Sequence, residues 1–153
     1  MKVDLRRTDW LDTDAVDLRD RQFREIGRLY ASEPTVAHRD DSEVIDESTI
    51  VVTVLAYVDG EPVGHGALRR LGDDVEIKRM FVAPERRRSG LAAALLGELE
   101  QVARDLDAPR IVLHTGDKQV AALGFYQRHG YTPIPVYAPY EEVSYSVCFE
   151  KVL

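Results

Sequence analysis

The sequence is poor in the features that mark secreted and membrane-spanning proteins. Its 153 residues contain a single cysteine, Cys148, so no intramolecular disulfide can form and a secreted disulfide scaffold is excluded. No uninterrupted apolar run reaches the roughly 18 residues that a membrane-spanning helix needs. The opening residues, MKVDLRRTDW, lack the apolar core of a signal peptide. We therefore expect a cytoplasmic protein without a membrane partner.

Positive charge is outnumbered by negative charge. Lysine and arginine total 20 against 27 aspartates and glutamates, which gives a formal net charge of -7. Because an acidic surface repels nucleic acid, we expect no nucleic-acid partner. The four histidines and the single cysteine show no metal-ligand spacing, so we expect no metal.

What the sequence does contain is enough apolar material for one buried core. Hydrophobic residues make up 44% of the chain and charged residues 31%, which is ordinary for a globular protein. No repeat, low-complexity segment or linker divides it. The length and composition predict one domain over residues 1–153.

The first half of the chain predicts a strand and a helix followed by an antiparallel meander. Residues 2–6 suggest a short strand, and residues 12–32 carry a helical stripe of apolar side chains. The polar, acidic segment 33–48 predicts a loop. Three strand-like runs follow, joined by turns at Asp59-Gly60 and Gly72: TIVVTVLAYV, EPVGHGALRRL and VEIKRMFV.

The second half predicts alternating helices and strands. Apolar residues recur at helical spacing from Gly90, and RIVLHT predicts a strand. Asp117 is a suitable cap for a second helix that stops near Gly130. SYSVCFEKV predicts the last strand. The element order indicates a mixed α/β (α+β) domain built on one sheet.

The segment PERRRSGLAAALL, residues 84–96, joins the third meander strand to the next helix. The first amides of a helix lack intrahelical partners and carry about half a positive charge, so a phosphate can bind there. Small residues after Arg88 permit close approach, and three arginines add donors. A P-loop and a dinucleotide glycine motif are both absent. A merely solvated charge run is the alternative, but the setting favours a pyrophosphate site.

The run MFVAPERRRSGLAAALL resembles the acetyl-CoA signature of the GNAT family of N-acetyltransferases, [QR]-x-x-G-x-[GA], which falls here on Arg87 to Ala92. The family's later landmarks follow in order as RIVLHTG and QVAALGFYQRHGY. The resemblance spans essentially the whole chain and is to small, single-domain, bacterial-type members. It implies a mixed, mostly antiparallel sheet flanked by helices, with a splayed central strand pair.

The resemblance also implies acetyl-CoA as co-substrate. The backbone of Met80, Phe81 and Val82 would pair with the pantetheine arm, and the Val82 amide would polarise the thioester carbonyl. Gln119 takes the place of a frequent asparagine that contacts this arm. The implied cofactor-binding residues are Met80, Phe81, Val82, Arg87, Arg88, Ser89, Gly90, Leu91, Ala92, Ala93 and Gln119.

Two residues are candidates for proton transfer. Tyr126 matches the tyrosine that protonates the departing CoA thiolate in many GNAT members, and a tyrosine pKa near 10 suits that role. Its alternative is a core tyrosine. Glu76 is the candidate general base, directly or through water. Strand alternation predicts that it shares a face with Lys78 and Met80, in an otherwise apolar neighbourhood. Its alternative is a salt-bridged carboxylate.

Other candidates rank lower. His65, between two glycines, and His114, at the end of a strand facing the cofactor, are alternative bases near pH 7. A lone strand histidine is more often packed and hydrogen-bonded. Cys148 has no paired histidine in its strand and is predicted to be a core residue.

These residues predict direct acetyl transfer, in a ternary complex, to a primary amine of a small molecule such as an amino acid, a polyamine or an antibiotic-like compound. An acyl-CoA-binding sensor without turnover and a protein or peptide N-acetyltransferase are the alternatives. A cationic acceptor would be favoured by two acidic segments, Asp40–Glu47 and 141–142, and by the nearby Tyr137 and Tyr140, if these flank the acceptor cleft. The apolar last strand leaves a homodimer possible.

Overall fold

A computed structural model describes residues 1–32 and 45–153, and within these ranges it contains seven strands and three α-helices. Most of the predicted loop 33–48 and of the acidic segment Asp40–Glu47 lies outside the described residues. The strands are β1 Val3–Thr8, β2 Ile50–Val58, β3 Glu61–Leu71, β4 Asp74–Val82, β5 Arg110–Gly116, β6 Thr132–Ile134 and β7 Ser146–Val152. The helices are α1 Thr13–Leu29, α2 Leu91–Asp105 and α3 Val120–Arg128.

The strands form one sheet in the order β1-β2-β3-β4-β5-β7-β6. Only the β4–β5 neighbours are parallel; every other pair is antiparallel. The predicted fold class, a mixed and mostly antiparallel sheet flanked by helices, is confirmed. Strand β6 was not predicted, because three residues that include Pro133 carry too little periodicity to be recognised.

The sheet is covered on both faces, which explains the nearly continuous apolar run of β2. Its Val54, Ala56 and Val58 belong to the large core formed with α2, whereas Leu55 and Tyr57 pack with α1. Successive side chains of a strand point to opposite faces. A strand buried on both faces therefore shows no polar alternation.

Two predicted boundaries are wrong. Helix α3 begins at Val120 with Gln119 at its N-cap, so Asp117 does not cap it. Instead, a turn in which the Gln119 amide donates to the Gly116 carbonyl separates β5 from α3, and the Asp117 amide donates to the Tyr145 carbonyl. The last strand begins at Ser146, two residues later than predicted.

Strands β4 and β5 are splayed, as the family resemblance implied. Their parallel ladder contains only three pairs and ends at Ile77 opposite Leu113. Just beyond, β4 contains a bulge: Lys78 pairs with Ala67 and Phe81 with His65, so β4 has one residue more than β3 there. Because a bulge bends its strand, it turns β4 away from β5. The divergence opens a cleft in the middle of the sheet.

Candidate active site

The cleft lies where β4 and β5 diverge. Helix α1 borders it with Gln22 and Ile26, and α3 borders it with Ala122 and Tyr126. The remaining lining comes from the strands, from the turn before α3 and from the loop before β7: Ile77, Lys78, Arg79, Met80, Leu113, His114, Thr115, Gly116, Gln119 and Tyr145. Residues of both helices therefore meet residues of the two diverging strands in one space.

Tyr126 reaches the cleft from the core side of α3. Its ring packs edge-on against Tyr131, with ring centroids 5.5 Å apart, and the residue is buried. The hydroxyl makes no hydrogen bond to any other described residue. Burial raises the pKa of Tyr126 above its ordinary value. The side chain therefore keeps its proton at physiological pH and can serve as a donor.

The outer end of β4 presents backbone groups to the side away from β3. The Ala83 amide donates to the Val63 carbonyl at 2.8 Å. Because backbone groups alternate in direction along an antiparallel strand, the N–H and C=O of Val82 point away from β3. The Val82 carbonyl accepts from Arg87 Nε at 2.9 Å. Met80 lines the cleft whereas Val82 does not.

The turn after β4 leads into a helix whose first amides have no side-chain cap. Gly90 is the N-cap of α2, with φ at 84°, and the first turn contains no acidic residue. A Cβ built on Gly90 would have no atom of the described residues within 4 Å, apart from its two chain neighbours. The Ser89 hydroxyl donates to the Arg86 carbonyl, not to a helix amide. The amides of α2 are thus available to an anion.

Of the three arginines in this turn, Arg87 is the most constrained. Its Nη2 donates to the Glu25 carboxylate on α1 at 2.7 Å, while its Nε donates to Val82. Arg87 therefore ties α1 to the turn and fixes the end of β4. Arg88 is exposed and has a φ of 62°.

The predicted site residues fall into two regions, the cleft and the turn that leads into α2, with Glu76 outside both. Met80, Gln119 and Tyr126 line the cleft, and Phe81 and Val82 are buried beside it in β4. The turn and the first turn of α2 contain the remaining cofactor residues, which are Arg87, Arg88, Ser89, Gly90, Leu91, Ala92 and Ala93. Glu76 belongs to neither region and does not line the cleft.

The apolar neighbourhood predicted for Glu76 is wrong. The residue is fully buried, and its Oε1 accepts from Arg69 Nε at 2.6 Å. Its Oε2 accepts from the Tyr137 hydroxyl at 2.6 Å. Lys78 Nζ lies 4.0 Å from Oε1. Both carboxylate oxygens are engaged, an arrangement that suits a structural ion pair better than a general base.

The predicted common face of Glu76, Lys78 and Met80 is also wrong for Met80. The bulge after Lys78 reverses the alternation of β4, and Met80 packs against the core on the α2 face. Phe81 instead packs with α1. A bulge adds one residue, which moves every following side chain to the opposite face.

The loop before β7 covers the buried charges with two tyrosines. The Tyr137 hydroxyl donates to Glu76, and Lys78 Nζ donates to the Tyr140 hydroxyl at 2.7 Å. The Tyr140 ring stacks on His114 with ring centroids 3.8 Å apart. Burial, reinforced by the Glu76 charge, raises the pKa of both tyrosines. Sequence reasoning placed these tyrosines near an acceptor but did not foresee their contacts.

The prediction that His65 is a base near pH 7 is wrong. Burial, with the Arg19 charge as a further cause, lowers the pKa of His65 to about 3. His114 lies within β5, not at its end, and its Nε2 is 2.8 Å from Ser146 Oγ. Cys148 is buried in the sheet, and burial raises the pKa of its thiol.

Gln22 is a cleft residue that sequence reasoning missed. It is 8% exposed, and its Nε2 donates to the Met80 carbonyl at 2.9 Å. A signal was present: Leu18, Gln22 and Ile26 recur every four residues, which places the glutamine on the buried stripe of α1.

The splayed strands that open this cleft are a feature that the family resemblance implied, and a comparison with known families tests that resemblance. The model of the acetyltransferase (GNAT) family matches residues 10–131. The chain belongs to the GNAT acetyltransferase family. The resemblance seen in the sequence is confirmed, and membership makes the protein an acetyl-CoA-dependent acetyltransferase.

Individual relatives agree with this assignment. An IAA acetyltransferase from Azospirillum brasilense is 30% identical over 153 residues, which cover 99% of this chain and 98% of that protein. A GNAT-family acetyltransferase from Staphylococcus aureus Mu50 superposes with a TM-score of 0.77 at 17% identity, covering 99% of each chain. The PaiA N-acetyltransferase of Thermoplasma acidophilum, solved with coenzyme A, superposes with a TM-score of 0.74 at 15% identity over the full length of both chains. At these identities the two structures show the fold alone.

Within residues 1–32 and 45–153 of this GNAT chain, no helix is long and apolar enough to cross a membrane. Among the same residues, no group of three or more histidine, cysteine, aspartate or glutamate side chains is arranged to hold a metal ion.

In this GNAT fold the buried Glu76 carboxylate balances the charge of Arg69, so the fold should lose stability when that carboxylate is neutralised. We expect Glu76→Gln to lower the free energy of unfolding by about 3 kcal/mol, because it leaves the buried Arg69 guanidinium without a counter-charge. Urea unfolding followed by circular dichroism measures this loss.

The matched control for this variant is Glu98→Gln. Glu98 pairs with Arg7 at 2.6 Å, but the Arg7 side chain is 54% exposed, so we expect a loss of about 0.5 kcal/mol or less. Equal losses in the two variants would contradict a buried ion pair. A large fall in kcat of folded Glu76→Gln, without loss of stability, would restore Glu76 as the general base.

Proposed function

We propose that this GNAT enzyme transfers an acetyl group from acetyl-CoA to a primary amine of a small molecule, directly and within a ternary complex. The observation that supports the proposal best is the joint lining of the cleft by Tyr126 of α3 and Met80 of β4. A proton donor and backbone amides then face one reaction centre from α3 and from the sheet.

The residues present fit acetyl-CoA. The uncapped amides of α2, the open space at Gly90 and the small residues Ala92 and Ala93 suit a pyrophosphate. The splayed strands leave room for the pantetheine arm beside β4, where it would pair with backbone at Met80 and Val82. Arg88 and its neighbours add positive charge around the phosphates. Gln119 lines the cleft and would contact the arm.

The chemistry divides between backbone and side chain. Acetyl-CoA supplies an activated acetyl group when bound. The Met80 amide would donate a hydrogen bond to the thioester carbonyl as negative charge grows on its oxygen. Tyr126 would give its proton to the departing sulfur as the carbon–nitrogen bond forms and the carbon–sulfur bond breaks. We move the polarising amide from Val82 to Met80 because Met80 lines the cleft with Tyr126, whereas Val82 does not.

Removal of the proton from the amine needs a separate acceptor. Both Glu76 oxygens are engaged and the residue does not line the cleft. We therefore propose that water in the cleft takes the proton from the amine. Glu76 instead holds Arg69 in place and anchors Tyr137 of the loop before β7.

The acceptor is proposed to be small because the cleft lies between two helices and is bordered by Tyr145 of the loop before β7. A cationic acceptor stays a prediction: Glu141 and Glu142 are exposed, and most of the segment Asp40–Glu47 lies outside the described residues. We propose that residues 1–153 form one domain that holds both substrates.

A screen for thiol release tests this function. Purified protein and acetyl-CoA are mixed with amino acids, polyamines, aminoglycosides and peptide amino termini, and free CoA is detected with a thiol reagent. We expect release with at least one small amine. Release with peptides alone would indicate a protein or peptide N-acetyltransferase.

A melting experiment separates the enzyme from a sensor. Acetyl-CoA at about 100 times its Kd should stabilise the native state by about 2.7 kcal/mol. Stabilisation without thiol release from any amine would favour an acyl-CoA sensor over the enzyme. Absence of stabilisation would contradict both.

A further inference from the structure

The bulge in β4 is held by side chains from two other elements. The Arg79 carbonyl accepts from His65 Nδ1 on β3 at 2.9 Å, and the next carbonyl, that of Met80, accepts from Gln22 Nε2 on α1 at 2.9 Å. Arg79 has a φ of 57°, a conformation that a residue with a side chain seldom adopts. The surrounding contacts must therefore maintain it.

The hydrogen bonds of His65 fix its tautomer. A carbonyl can only accept and a guanidinium can only donate. Since Nδ1 faces the Arg79 carbonyl and Nε2 lies 3.0 Å from Arg19 Nη1, the ring carries its proton on Nδ1. Arg19 is held in turn by stacking on Trp10, with its guanidinium carbon 3.6 Å from the ring centroid. The Arg79 carbonyl is thus fixed through a chain of contacts that begins at Trp10.

These contacts determine where the Met80 amide points. In a planar trans peptide the N–H points opposite to the C=O. The Met80 N–H shares its peptide plane with the Arg79 carbonyl, which His65 holds towards β3. The amide therefore faces away from β3, on the side where β4 diverges from β5.

We infer that His65 and Gln22 are positioning residues, which hold the bulge so that the Met80 amide meets the acetyl carbonyl. This inference rests on the proposed function, in which that amide stabilises charge on the thioester oxygen. Neither side chain supplies a proton or a nucleophile. Both act through the backbone, and misplacement of a catalytic group by about 1 Å costs up to about 100-fold in rate.

Gln22 provides the sharper variant because its replacement need not destabilise the fold. Its Oε1 is buried and has no hydrogen-bond partner among residues 1–32 and 45–153. Gln22→Met removes that unsatisfied oxygen along with the donor to Met80, so the two effects on stability oppose each other. We expect kcat to fall about tenfold with the KM for acetyl-CoA within about twofold of wild type. A merely structural glutamine would leave kcat unchanged.

His65 is tested by a pair of variants. His65→Asn keeps an N–H donor near the Arg79 carbonyl, whereas His65→Leu removes it. We expect the asparagine variant to recover most of the kcat that the leucine variant loses. The matched control is Thr53→Val, since Thr53 Oγ1 is likewise buried without a partner in the described part of the chain, and Thr53 does not line the cleft. This control should keep the wild-type kcat.

A binding readout makes the inference testable without turnover. In ¹⁵N-labelled wild-type protein we expect the Met80 amide cross-peak to move when acetyl-CoA is added, and to move less in Gln22→Met. Acetyl-CoA binding without thiol release would reject the proposed function but still permit this comparison. Wild-type kcat in both Gln22→Met and His65→Leu, or an equal cross-peak shift in wild type and Gln22→Met, would overturn the inference.

Discussion

Tyr126→Phe should lower kcat by about 100-fold or more, while the Kd for acetyl-CoA stays within about twofold of wild type. Phenylalanine keeps the ring that packs on Tyr131 and removes only the hydroxyl. Tyr126 is buried, and its hydroxyl is the one proton donor proposed for the departing thiolate. The effect should therefore appear in the chemical step and not in cofactor binding. Steady-state kinetics and calorimetric titration measure the two constants separately.

Tyr131→Phe is the matched control for this variant. Tyr131 is also buried, but its hydroxyl donates to Glu100 Oε2 at 2.8 Å and does not line the cleft. We expect this variant to lose about 1.5 kcal/mol of stability, as is usual for a hydrogen bond to a charged group, and to keep its kcat. An unchanged rate in Tyr126→Phe would remove Tyr126 from the mechanism.

Gly90→Val should raise the Kd for acetyl-CoA by about 100-fold, which corresponds to about 2.7 kcal/mol. A side chain at the N-cap of α2 would stand in front of the amides proposed to hold the pyrophosphate. Its φ of 84° is also unfavourable for a residue with a β-branched side chain. Calorimetric titration with acetyl-CoA measures the change.

A valine substitution at a second glycine with positive φ separates the effect of backbone strain from the effect on acetyl-CoA binding. Gly60 has a φ of 86°, and a Cβ at this position would likewise meet no atom within 4 Å in the part of the chain that the structure describes. The residue lies in the β2–β3 turn, away from α2. Gly60→Val should cost similar stability and leave the Kd for acetyl-CoA unchanged.

Arg88→Gln should weaken acetyl-CoA binding less than Gly90→Val, because the backbone amides provide the main contacts. A larger effect of Arg88→Gln would mean that side-chain charge dominates the phosphate site.

The parts of the fold that were predictable from sequence depend on local signals. Asp59 and Gly60 both adopt positive φ, as a tight hairpin requires, and the pair marked the β2–β3 turn in the sequence. The apolar spacing after Gly90 predicted α2, and the family signature lies within one short segment. Each of these features is determined by residues close together in the chain.

The parts that were not predictable depend on contacts between distant residues. The β4 bulge contains Arg79 at positive φ, where a glycine would have been the expected signal. Its supports, His65 and Gln22, come from other elements. Likewise, Tyr137 lies 61 residues from Glu76 in the chain. No periodicity in the sequence reports such pairs, so the surroundings of Glu76 and the face of Met80 were predicted wrongly.

Direct transfer to an amine is tested most directly by a single-turnover experiment. Wild-type protein is mixed with an equal amount of acetyl-CoA and an excess of each amine of the panel, and protein, CoA and amine are analysed by mass spectrometry. We predict that the acetyl group appears on an amine, that CoA is released in equal amount, and that the protein gains no acetyl group. An acetylated protein intermediate, or acetyl-CoA left intact with every amine, would contradict the account.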